Sequence, residues 1–167
     1  AGIVLYLSWA FRHVSKPVAS WKYGVVAVSA FIHDVTIPVG VFAFLGHFYG
    51  VTIDSLFITA LLTVMGFSVH DTIVIFDRIR ENLAKLKRPE SYEATVNRSV
   101  NETIARSINT SFTVLIVLLA IFLFGGVTTR FFALALMIGI IFGTYSSIFV
   151  ASPLLVIWQQ WTEKKRG

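Results

Sequence analysis

Asp71 stands inside a long apolar run, Ile53–Phe76, seven residues before Arg78. If the run is helical, Asp71 lies about 10 Å deeper than the charged end. An ion there is costly to bury, so such a residue faces a partner or a watery cavity. Arg106 opens the next apolar run, which returns in the opposite direction. The two residues therefore fall at similar depth on sequence-adjacent antiparallel helices and are positioned to pair. Thr110 is one turn beyond Arg106 on the same face, where its hydroxyl could relay a proton or hold a water. Burial disfavours the ionised carboxylate and a nearby cation favours it. Separating such a pair would load a proton, and reunion would expel it. The competing reading is a static ion pair that fixes helix packing.

His33 and Asp34 interrupt the run Tyr23–Leu45, and Pro38 follows four residues after Asp34. Proline cannot donate to the Asp34 carbonyl, so the helix is weakened there. The pair reads first as a polar couple satisfied between helices, and second as a proton or water station at a hinge. His70 reads as a hydrogen-bonding residue across the bundle. His33, His70, Asp34 and Asp71 lack a recognised ligand spacing, so no metal site is expected. Asp77, Arg78, Arg80 and Glu81 cluster at the end of the third run, as a solvated helix end or as a coupling between the spans and the following polar segment.

The elements that must position these residues are membrane helices. Hydrophobic residues make up 56% of 167 positions and charged residues 14%, against about 25% charged in soluble domains. Complete runs of spanning length cover Tyr23–Leu45, Ile53–Phe76, Ile108–Phe124 and Phe131–Trp158. They lack the alternation of a membrane β-barrel. Ala1–Phe11 is apolar but short, and no initiator Met precedes it. It is expected to be the end of a span that begins upstream. The chain thus reads as all-α, a polytopic bundle of one partial and four full spans, with residues 1–167 a single transmembrane domain.

Twelve of the 14 basic residues fall in alternate connections: Arg12, Lys16 and Lys22; Arg78, Arg80, Lys85, Lys87, Arg88 and Arg98; and Lys164, Lys165 and Arg166. Arg130 lies in the opposite set and Arg106 at a span start. The positive-inside rule then places 12–22, 77–107 and the C-terminus in the cytoplasm. Within 77–107, Pro89 suits a first helical turn, and Tyr92, Val96, Val100, Ile104 and Ile108 form an apolar stripe. This cytoplasmic amphipathic helix is expected to lie on the membrane lipid surface or to dock on the span ends. Gly139, Gly143, Ser147 and Ala151 form a small-residue ridge for close packing, and Pro153 is expected to kink the same helix.

The chain has no cysteine and no glycine-rich phosphate loop with lysine, so thiol chemistry and nucleotide hydrolysis are not expected. No enzyme activity and no cofactor are expected, with protons as the coupling ion. The basic residues are not interleaved with aromatics on a soluble face, so nucleic-acid binding is not expected either.

The stretch Gly66–Asn82, GFSVHDTIVIFDRIREN, strongly resembles the signature of the SecF family, subunits of the bacterial SecD–SecF protein-export membrane complex. Ala105–Ser111, Leu123–Gly126 and Gly143–Ser152 extend the resemblance over almost the whole chain. The Asp-Thr-Ile-Val form at Asp71 is similar to SecF rather than SecD, while His70 stands where many relatives have Asn. The resemblance implies a resistance–nodulation–division fold and spans two to six of a six-span unit. The first span and a periplasmic domain would then lie upstream. It implies an inner-membrane subunit that uses the proton-motive force for late steps of preprotein translocation. SecD, the SecYEG translocon, SecA and a YidC-type insertase are its implied partners. The family's proton path maps onto Asp71, Arg106 and Thr110. A lipid or small-molecule exporter of the same superfamily and a passive translocon scaffold are the alternatives.

Overall fold

A computed structural model describes residues 20–85 and 90–164. Ala1–Phe11, Arg12, Lys16, Lys87, Arg88, Pro89, Lys165 and Arg166 lie outside the described residues. Among the described residues five α-helices follow one another: α1 (Ser20–Tyr49), α2 (Ser55–Ala84), α3 (Tyr92–Phe124), α4 (Val127–Ser146) and α5 (Ser152–Lys164). A π-helical turn, Ser147–Ala151, joins α4 to α5. There is no strand among the described residues. Four helical segments among the described residues are long and apolar enough to cross a membrane: Trp21–Tyr49, Ser55–Ala84, Tyr92–Phe124 and Val127–Thr162. The chain is therefore an all-α, multi-pass membrane protein, as the apolar runs require.

The helix ends follow from local chemistry. Gly50, at φ 67°, takes the left-handed conformation that ends α1. The Gly50 and Val51 amides return to the Gly46 and Leu45 carbonyls. Asp54 caps α2 by accepting from the Phe57 amide at 3.0 Å, and Ser91 caps α3 by accepting from the Ala94 amide at 3.2 Å. The Arg130 guanidinium donates to the Gly125 and Leu123 carbonyls at the opposite end of α3. Pro38 lies inside α1 without ending it.

The segment 77–107 is not a separate surface helix. Thirty residues of α2 and 33 of α3 span about 45–50 Å, well beyond a ~30 Å hydrocarbon core. Both spans simply continue outward as one antiparallel pair, joined at 85–91. The apolar stripe of α3 docks on the bundle: Val96 is buried, and Tyr92, Val100 and Ile104 pack against the same cluster. Ile108 leaves that surface and is exposed.

α4 is the central element, packed against α1, α2 and α3. Its small-residue ridge explains why. A Cβ on Gly139 would overlap the Val64 side chain, and one on Gly143 would approach the Ser68 Cβ to 3.3 Å. α2 and α4 therefore meet nearly backbone to backbone. After Ser146 the ridge enters the π-helical turn, six residues before Pro153, which has no amide to donate. The Ser152 hydroxyl bonds the Ser147 carbonyl at 3.1 Å across this turn.

Two apolar clusters fill the interior. One, nearer the 85–91 end, is built on Tyr23, Ile75, Phe76, Ile79, Val96 and Leu155. The other, nearer the 125–126 end, is built on Phe42, Phe57, Val64, Leu118, Leu136 and Ile140. Between them every long helix places buried polar groups: Asp34; Ser68, Asp71 and Thr72; Ser107 and Ser111; Thr144, Ser146 and Ser147. The bundle thus holds a polar layer between two apolar plugs.

Candidate functional site: a polar layer inside the bundle

α2 carries Asp71 into this layer, where its side chain is buried. The hydroxyl of Ser107, on α3, donates to Asp71 Oδ1 at 2.6 Å. The other carboxyl oxygen, Oδ2, is buried without a hydrogen bond of normal geometry. Beside it lies a cavity of about 90 Å³, lined by Phe67, His70, Asp71, Val74, Arg106, Ser107 and Thr110. That is room for a few waters, given a share of about 30 Å³ each in the liquid.

Asp71, Arg106 and Thr110 therefore share one cavity, as their spacing suggests, but Asp71 and Arg106 form no ion pair among the described residues. Arg106 is exposed on the flank of α3. Thr110 is also exposed and donates to the Arg106 carbonyl at 2.9 Å. The residue aimed at Asp71 is the next one, Ser107. Adjacent helix positions differ by about 100° in direction, so a one-residue step separates the inward hydroxyl from the outward guanidinium. His70 lines the cavity from an exposed position and makes no hydrogen bond across the bundle among the described residues, contrary to the expectation for it.

Asp34 is fully buried. Its Oδ2 accepts from Ser68 on α2 and from Ser146 on α4 at 2.7 Å. Its Oδ1 meets His33 Nδ1 at 3.0 Å. Three spans thus converge on one carboxylate. Further pairs knit the layer: Thr72 with Ser147 at 2.9 Å, and Ser111 with Thr144. No group of three or more metal-ligating side chains occurs among the described residues.

At the 85–91 end the charged residues link α2 to α3. Arg78 bonds both Glu102 and Glu81 at 2.6 Å. Asn82 reaches Ser99 and Glu102 at 2.9 and 2.8 Å, and Lys85 pairs with Glu81. Arg80 lies 3.6 Å from Asp77 on the same helix. The cluster Asp77, Arg78, Arg80 and Glu81 is therefore divided: Arg78 and Glu81 tie the helix pair together, while Asp77 and Arg80 interact within α2.

Sequence reading missed Ser107 and the hydroxyls around it, although a signal was present. Thr95, Ser99, Thr103, Ser107 and Ser111 recur every four residues and are all buried. This stripe lies one residue from the apolar stripe of Tyr92, Val96, Val100 and Ile104. Together they form the packed face of α3.

The protein-family model described as "Protein export membrane protein SecD/SecF, C-terminal" matches residues 1–161. The chain is 58% identical over 159 residues to the protein translocase subunit SecF of Thermobaculum terrenum, covering 95% of this chain and 49% of that protein. It is 43% identical to the subunit SecDF of Thermus thermophilus, covering 94% of this chain and 20% of that one. The crystal structure of SecDF in its super-membrane-facing form aligns with a TM-score of 0.85 at 41% identity, over 98% of this chain and 20% of that one. Another, titled as a translocon-associated membrane protein from Thermus, aligns at 0.81 with 41% identity, over 94% of this chain and 20% of that one. The chain spans about half the length of the SecF relatives it matches. It belongs to the SecD/SecF C-terminal family of protein export membrane proteins.

Proposed function

We propose that this chain is the proton-coupled membrane part of a subunit that promotes late steps of preprotein translocation across the bacterial inner membrane. One observation carries the coupling. Asp71 is buried between two apolar plugs, holds one donor on Oδ1, has no hydrogen bond of normal geometry on Oδ2 among the described residues, and shares a cavity with Arg106 and Thr110.

An ionised carboxylate in that position is poorly compensated. Two events relieve it. A proton can bind the carboxylate, or the Arg106 guanidinium can swing into the cavity and pair with it. The first state leaves Arg106 outside, as found here. The second draws α3 against α2. Proton binding and release at Asp71 would therefore alternate two arrangements of this helix pair. Thr110, one turn from Arg106 and on the cavity wall, would hold the water through which the proton passes. The long outward extensions of α2 and α3, tied by Arg78 and Glu102, would carry the movement to one end of the bundle.

The relatives' names support the setting. They are protein translocase subunits, and one solved relative is titled as translocon-associated. In this reading the partners are SecD, the SecYEG translocon, SecA and a YidC-type insertase, and the C-terminus is cytoplasmic. The distribution of basic residues supports that orientation.

The test is export in inverted inner-membrane vesicles carrying the complete protein, with and without the proton-motive force. Asp71→Asn, which holds the neutral state, is expected to abolish the stimulation by that force while the complex still assembles. Unchanged stimulation would refute the coupling. Reduced assembly with stimulation intact per complex would indicate a scaffold.

A further inference from the structure

The switch at Asp71 uses only part of the polar layer. Asp34 is buried more completely than Asp71, yet no lysine or arginine pairs with it among the described residues. From α1 it meets His33, from α2 Ser68, and from α4 Ser146. Of these three hydrogen-bonding groups the only titratable one is His33.

A buried carboxylate facing only hydroxyls and one imidazole has two low-cost states. Either Asp34 carries a proton and His33 is neutral, or Asp34 is ionised and His33 carries the proton. Both are neutral overall. They differ by the position of one proton along the 3.0 Å Nδ1–Oδ1 contact. His33 is 38% exposed while Asp34 is sealed, so the imidazole stands between the carboxyl and the surface of the bundle.

The layer also connects Asp34 to Asp71. The hydroxyls of Ser146 and Ser147 both donate to the Gly143 carbonyl, at 3.1 and 2.9 Å. The two hydroxyls therefore share one acceptor. Ser146 holds Asp34, whereas Ser147 holds Thr72 and faces Asp71. On α2, Ser68 lies one turn from Thr72, on the same face. Gly143 lets this happen, since a Cβ there would press on Ser68 and sit 3.8 Å from Asp34 Oδ2.

We propose that Asp34 is a second proton-binding carboxylate of the bundle, loaded through His33 and exchanging protons with Asp71 through the hydroxyls of Ser146 and Ser147. Each hydroxyl would turn from the Gly143 carbonyl, take a proton on its oxygen and pass its own to the next acceptor, so that one proton moves in all. The inference rests on the proton-coupled reading of Asp71 and adds a residue to it. Because the two carboxyls would share a hydroxyl network, a charge on one bears on the other.

The experiment is proton flux through the complete complex in proteoliposomes, measured against pH for wild type, Asp34→Asn, Asp34→Glu and Asp71→Asn. Infrared spectra of the same samples follow carboxyl protonation. Asp34→Asn is expected to lose most of the flux, to remove one carboxyl ionisation step and to displace the midpoint that Asp71→Asn removes by about one pH unit or more. Asp34→Glu is expected to restore flux in part. Wild-type flux and an undisplaced midpoint in Asp34→Asn, with Asp71→Asn blocked, overturn this inference and leave the switch intact. Wild-type flux in Asp71→Asn overturns the switch and this inference with it. Should Asp34→Asn not assemble, His33→Gln decides. It keeps the carboxylate and is expected to slow flux severalfold, and wild-type flux overturns the inference.

Discussion

Replacing Gly139 by alanine tests the packing that holds the polar layer together. The added Cβ would lie closer than 3.0 Å to all three side-chain carbons of Val64, where unstrained carbons sit about 3.5–4.0 Å apart. Val64 is 1% exposed and β-branched, so it has no alternative rotamer of similar energy in a helix. The clash must be relieved by moving α2 from α4. Overpacking of this kind costs about 1–3 kcal/mol, and the rigid neighbour places this case in the upper half. Gly→Ala in a helix returns about 0.8–1 kcal/mol, leaving a net loss of about 1–2 kcal/mol. One turn on, the same separation would pull Gly143 from Ser68 and strain the bond from Ser146 to Asp34. The assay is reversible unfolding of the complete protein in bicelles by steric trapping. Val64→Ala in the same chain restores the lost space, so the pair should show a favourable coupling of about 1–2 kcal/mol. A Gly139→Ala protein as stable as wild type, or strictly additive effects of the two substitutions, would refute the reasoning.

Ser107→Ala removes the one hydrogen bond of normal geometry to Asp71 among the described residues. It is expected to cost about 1.5–3 kcal/mol when the carboxylate is ionised, and to alter the pH profile of flux, which a purely structural hydroxyl would not do. Glu102→Gln weakens the bonds from Arg78 and Asn82. Hydrogen exchange at the start of α3 should then quicken at low salt, with the difference shrinking at high salt because exposed ion pairs are screened. Asp54→Ala removes the α2 cap and is expected to cost about 1 kcal/mol by thermal or denaturant unfolding, without effect on proton flux.

The spans were legible because lipid demands long apolar helices, and few charges interrupt them. Asp34 and Asp71 stood out for the same reason. Depth could be read too: Asp71 and Arg106 were expected at similar depth, and both line one cavity. Direction was less legible. Telling Arg106 from Ser107 as the group aimed inward requires the rotation of α3 to within one residue, and rotation is set by packing on α2 and α4. The periodic hydroxyls Thr95, Ser99, Thr103, Ser107 and Ser111 could have fixed it. They were hidden by the adjacent apolar stripe, since serine and threonine read as neutral in a hydropathy pattern. The extent of α3 was also understated. Its polar first half lacks the composition of a span, yet nothing in 92–107 breaks a helix. Ser146 bonds Asp34 and Ser147 bonds Thr72 where the helix passes into the π-helical turn, for which Pro153 was only an indirect signal.

The central claim is that Asp71 binds and releases the proton that drives the helix pair. Its most direct test is proton flux through the complete complex reconstituted in proteoliposomes, under an imposed gradient, comparing wild type with Asp71→Asn at equal assembly. The account predicts gradient-dependent flux in wild type and none above background in Asp71→Asn. Equal flux in the two would contradict it.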